Sequence, residues 1–131
     1  MNFLNSPLSD YFLHESSVEK IEIDKTKIVL NFNSGFFNKN HEKLDNCKMI
    51  LSISKLEQSN VDIFVSVKRK GLFNKEISFF RFLNELNKFK FSIDIEYYSE
   101  FERSVILIGN IADKEYELKI TDINAISFHY S

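Results

Sequence analysis

Apolar residues recur at every second position along most of this chain, and only between residues 78 and 89 do they recur at every third and fourth. The first spacing is that of half-buried strands and the second that of an amphipathic helix. A chain written this way must lay one helix against a large amount of sheet. Ile21 and Ile23 alternate with Lys20 and Glu22, Asp24-Lys25-Thr26-Lys27 turns the chain, and Ile28, Leu30 and Phe32 resume the alternation. Residues 18–33 therefore predict a β-hairpin. The polar stretch Ser34–Asn46, with Gly35, His41 and several Asn and Asp residues, predicts a loop. A third strand follows over Lys48–Ser54, with Met49, Leu51 and Ile53 on one face. Lys55–Asn60 turns the chain, and Val61, Ile63, Val65 and Val67 alternate in a fourth strand.

The helix is expected over Ser78–Phe89, with Ser78 as N-cap, or Asn74 if it starts earlier, and with Phe79, Phe80, Phe82, Leu83, Leu86 and Phe89 as its apolar face. Three turns do not persist alone in water, so that face has to pack on a sheet, with Phe80 and Phe82 both in the core. Four strands come next. Phe91, Ile93, Ile95 and Tyr97 alternate in the first. Arg103–Ile111 is apolar at both parities, as in a central strand covered on both faces, and its Gly109 points to a bulge or a close backbone approach. Tyr116, Leu118 and Ile120 mark the next strand, and Ile126, Phe128 and Tyr130 the last. The short connections Ala112-Asp113-Lys114 and Asp122-Ile123-Asn124 allow only antiparallel neighbours. The expected fold is α+β, a single domain over residues 1–131. One large twisted antiparallel sheet of about eight strands packs around one amphipathic helix in the order ββββαββββ.

Composition narrows the function classes. A chain of 131 residues suits one domain, and 44% hydrophobic with 27% charged residues excludes disordered and collagen-like chains. Three glycines and one proline leave no Gly-rich phosphate loop, and a net charge of −2 argues against a nucleic-acid partner. A single cysteine, Cys47, forms no intramolecular disulfide, which fits a reducing cytoplasm. The N-terminus lacks the basic and apolar regions of a signal peptide. The longest apolar run, Val105-Ile106-Leu107-Ile108, is too short for a membrane span, so no membrane association is expected and the cytoplasm is the expected location.

No H-E-x-x-H, C-x-x-C, G-x-S-x-G or G-x-G-x-x-G pattern occurs, and His14, His41 and His129 are scattered. Neither a metal nor a cofactor is expected, no residue is assigned a catalytic role, and Cys47 reads as a small buried hydrophobe at a strand start.

One N-terminal segment stands out. Phe12-Leu13-His14-Glu15-Ser16-Ser17-Val18-Glu19-Lys20-Ile21 places a His-acid-Ser box before the first hairpin. It resembles small bacterial families of α+β domains, several of them proposed as immunity proteins of polymorphic toxin systems. Their acid is usually aspartate where this chain has Glu15, and the resemblance covers about the first quarter of the chain. It implies a toxin as partner and no catalytic role. Physically, Ser and acidic side chains satisfy backbone groups where a chain enters a strand, and His14 can bridge to a neighbouring strand and fix where the sheet begins.

Charge is segregated. Lys68, Arg69, Lys70, Lys75, Arg81, Lys88 and Lys90 precede Asp94, Glu96, Glu100, Glu102, Asp113, Glu115 and Glu117, with few opposing charges in either block. If Ile95 and Tyr97 point inward, then Asp94, Glu96 and Tyr98 form an outer face with Glu100 and Glu102 at the hairpin end. Such a surface suits capture of a basic protein surface, for instance a nuclease active site. The expected function is thus non-enzymatic protein binding by an immunity protein that occludes a cognate toxin. The alternative is a small-ligand-binding domain or enzyme with a pocket between sheet and helix, where His14, His129 or Tyr130 would meet a carboxylate. Self-association through exposed sheet edges, giving a homodimer, is a third class.

Overall fold

The computed structural model describes residues 8–53 and 63–130. The turn expected at Lys55–Asn60, and Val61 of the fourth strand, lie outside them. The described residues are mostly antiparallel sheet with one helix, as expected of an α+β chain, but not as one eight-stranded sheet. Thirteen strands among the described residues form three sheets. They are β1 (Tyr11–Phe12), β2 (Ser17–Val18), β3 (Lys20–Asp24), β4 (Lys27–Phe32), β5 (Phe36–Asn38), β6 (Lys43–Leu44), β7 (Cys47–Ile53), β8 (Ile63–Arg69) and β9 (Leu72–Ile77). After the helix α1 (Phe79–Lys88) come β10 (Phe91–Ser99), β11 (Ser104–Ile111), β12 (Lys114–Ile120) and β13 (Ile123–His129).

A six-stranded sheet runs β2-β10-β11-β12-β8-β9, a four-stranded sheet runs β13-β7-β4-β3, and a small sheet runs β1-β5-β6. The predicted hairpin is β3–β4, and Met49, Leu51 and Ile53 of β7 are all buried. Three departures have local causes. The stretch expected as a loop holds β5 and β6, anchored by Phe36, which packs edge-on against Phe32 and Tyr11. The polar strand β9 returns from β8 through Lys70-Gly71, both at positive φ, the geometry of a tight two-residue hairpin. The connection after β12 does not join neighbours. Asp122, at φ 56°, carries the chain from one sheet to the other, where β13 pairs with β7.

Both larger sheets contribute to one core, from Leu30, Phe32 and Leu51 on one side to Leu107, Leu118 and Val65 on the other. The helix touches β8 and β3. Ser78 is its N-cap, the hydroxyl accepting from the Arg81 N–H at 3.1 Å. Phe79, Phe82 and Leu86 are buried, and Phe82 meets Phe91 and Tyr116 edge-on at centroid distances of 5.3 and 5.5 Å. Phe80 is 69% exposed, against expectation. The arc from Phe82 through Leu86 to Phe79 is only about 60° wide, and Phe80 stands a further step of about 100° around the axis from Phe79. Phe89, the C-cap, is exposed as well. Among the described residues no helix is long and apolar enough to cross a membrane.

Candidate functional site

Strand β10 and the turn after it carry the residues expected to bind a partner, and the register of β10 decides which of its side chains face outward. Ile93 pairs with Gly109 and Ile95 with Ile108, so Asp94 is an extra residue, a β-bulge. Gly109 is opposite because the backbones touch: a Cβ there would collide with the Ser92 carbonyl. The His14-Glu15-Ser16 box docks at the same point. The Ile93 N–H donates to the Ser16 carbonyl at 2.8 Å and the Glu15 N–H to the Ile93 carbonyl at 2.7 Å, while the Ser16 hydroxyl bonds the Leu13 carbonyl. Glu15 holds φ 69° to make this turn. His14 Nδ1 lies 3.2 Å from Glu96 Oε1. The box clamps the start of the sheet, mainly through its backbone.

One inserted residue reverses the side chains that follow it. Glu96 and Tyr98, expected outside, turn inward: the Glu96 side chain is 15% exposed and Tyr98 packs on the core. Glu96 Oε2 is buried with no hydrogen-bond partner among the described residues. Asp94 stays outside and accepts from Asn110 Nδ2 at 3.0 Å. Glu100 is partly buried at the hairpin end, and Glu102 is exposed, 3.2 Å from Lys119 Nζ. The four acids and one tyrosine expected as one patch are therefore split, and Ile95 and Tyr97, expected in the core, take the outer face.

That outer face is apolar on β10 and β11 and turns mixed beyond them, where Lys119, Glu117 and Ser66 continue the rows. Register places Tyr97, Ile106, Lys119 and Phe64 in one row across four strands, and Ile95 and Ile108 in the next. Ile95, Tyr97 and Phe64 are all exposed, and Phe101 at the tip of the β10–β11 turn is 98% exposed between Glu100 and Glu102. The sequence signal for this surface was Gly109 read together with the period-2 run facing it. Beyond Ser92 no described strand covers the other edge of β10.

The charge segregation is only partly spatial: Glu100 and Glu102 stand at one end of the six-stranded sheet, whereas Asp113 and Glu115 of the acidic block stand at the other, beside Lys114 and Lys68. The acidic β10–β11 turn lies at one end of the six-stranded sheet, and the β8–β9 and β11–β12 turns lie at the other, about 20 Å away at strand rise. Elsewhere, Phe12, His14, Glu15, Phe37 and His41 line a cleft of about 350 Å³, with Phe12 stacked on His41. This cleft brings His14 near a carboxylate, but beside the small sheet and not between sheet and helix. His129 and Tyr130 do not line it. Cys47 is buried, which pushes its thiol pKa up, and it donates to the Leu44 carbonyl, consistent with a packing role. No family model matches the chain, and neither a curated protein nor a solved structure matches it.

Proposed function

We propose that this chain is a non-enzymatic protein-binding domain, an immunity protein that neutralises a cognate bacterial toxin by covering its active site. The observation that carries the reading is the exposure of Tyr97, Phe64 and Ile95 on one face of the sheet with Phe101 projecting beyond them, rimmed by Asp94, Glu100 and Glu102. The solvent face of an antiparallel sheet is ordinarily polar, and an apolar patch with a charged rim is the usual mark of a protein interface. Aromatic anchors supply the affinity while the acids steer a basic surface into place. The His14-Glu15-Ser16 resemblance supports a toxin as that partner. A second copy of this chain is opposed by the acids themselves, since pairing this surface with itself brings like charges together.

The test is co-purification with the protein encoded immediately upstream, followed by substitution. Tyr97→Ala or Phe101→Ala is expected to cost about 2 kcal/mol of binding, roughly 30-fold in Kd. Glu100→Lys should act mainly on the association rate. Affinity unchanged in both aromatic variants would move the interface elsewhere on the molecule.

The cleft of about 350 Å³ supports a second reading, a small-ligand domain. A compound that raises the melting temperature of the wild type but not of Phe12→Ala would favour it.

A further inference from the structure

A second concavity, of about 130 Å³, lies at the far end of the six-stranded sheet from the acidic turn, between that sheet and the helix. Lys68 and Arg69 of β8, Lys75 of β9, Arg81 of α1 and Lys114 of β12 line it, with Val67, Ile77 and Tyr116 as the remaining wall. No carboxylate is among these residues. Lys68 pairs with Glu115 at 3.4 Å, but among the described residues no acid stands in ion-pair range of Arg69, Lys75, Arg81 or Lys114. Repulsion from Arg69 first, then burial, then Arg81 and Lys114, lowers the Lys75 pKa, so these cations act on one another.

Charges this close and unpaired destabilise a fold unless a counter-charge joins them. They come from four separate elements, so the run of basic residues in the sequence does not by itself explain their meeting. An oxyanion supplies the missing charge, and the two guanidinium groups offer donors in the fork geometry that phosphate oxygens accept. The concavity is smaller than the roughly 300–1,000 Å³ typical of clefts for drug-sized ligands, so it suits one oxyanion group and not a nucleoside. A long polyanion is disfavoured by Glu76 and Glu117, which register places together on the opposite face of the same strands, and by the net charge of −2.

We infer that this concavity is an oxyanion site that takes the phosphate group of a small molecule, at the opposite end of the sheet from the proposed partner surface. Its chemistry is shared by free phosphate and by a phosphate monoester, and titration separates them. Inorganic phosphate and a nucleoside 5′-monophosphate are each titrated at constant ionic strength, with chloride as the balancing anion, and followed by calorimetry and melting temperature. Saturable binding with a raised melting temperature is expected for at least one of the two, and the tighter of them identifies the source. Lys75→Gln combined with Arg81→Gln should weaken binding roughly tenfold or more, and Lys48→Gln, on β7, should leave it unchanged. In low salt without phosphate the double variant should melt at or above the wild-type temperature, because the repulsion is gone. A response no larger than that to chloride, or unchanged affinity in the double variant, would overturn the site. So would a double variant that melts well below the wild type, since the cations would then be holding the fold. A single-stranded oligonucleotide that binds more tightly than the monophosphate, with a steep salt dependence, would replace it with a nucleic-acid groove.

Discussion

Gly109 shows how much a single residue settles here. Its missing side chain lets β11 approach the Ser92 carbonyl, and the bulge at Asp94 forms opposite it. Gly109→Ala forces the two backbones apart and should cost about 2–3 kcal/mol, read as a lowered urea midpoint with unchanged slope. A neutral Gly109→Ala would mean that the strands can separate freely and that the bulge has another cause. His14 acts at the same place. His14→Ala removes the contact to Glu96, a side chain that is mostly buried, and should lower stability by about 1 kcal/mol. The backbone bonds from Glu15 and to Ser16 survive the substitution, so the fold should persist and partner affinity should change little. A stable His14→Ala variant that lost its partner would instead place His14 in the interface.

At the level of the elements, the helix is the clearest case of what periodicity does and does not convey. Its existence and the burial of Phe82 follow from spacing, because a three-and-four repeat packs one stripe on a sheet, while the structure chooses Ser78 over Asn74 as its cap. The width of its buried face does not follow, because that depends on how much sheet lies beneath. Phe82→Ala should therefore cost about 3–5 kcal/mol, whereas Phe80→Ala should fall within about 0.5 kcal/mol of the wild type on the same denaturation curves. Equal losses at the two sites would contradict the orientation of the helix. Strand β9 was illegible for the opposite reason. Its Asn74, Lys75 and Glu76 carry little apolar signal, and only the Lys70-Gly71 turn marks it.

For the whole molecule, burial of phenols gives a pH dependence that can be measured. Burial, joined by Tyr130 and Asp10, raises the Tyr11 pKa above its ordinary 10.0. Burial, joined by Glu85 and opposed by Arg81, does the same for Tyr116. An acid whose pKa is higher folded than unfolded loses its proton first in the unfolded chain, so stability is intact below the unfolded value and falls as pH rises through it. The urea midpoint should hold to about pH 9 and then fall, and Tyr116→Phe should flatten the fall. A midpoint unchanged up to about pH 11 would contradict the burial of both rings.

The sequence by itself determined that this would be an antiparallel, strand-rich chain with a helix over residues 78–89, and that basic and acidic residues are segregated along it. Each of these is local, written in the spacing of neighbours along the chain. Only the tertiary structure decided that the strands divide into three sheets, that Glu96 and Tyr98 face in while Ile95 and Tyr97 face out, and that Arg69, Lys75, Arg81 and Lys114 meet in one concavity. A one-residue bulge reverses every later side chain in its strand, and a turn at Asp122 moves the chain between sheets. Both depend on which backbone lies alongside, which the spacing of residues along a single strand does not record.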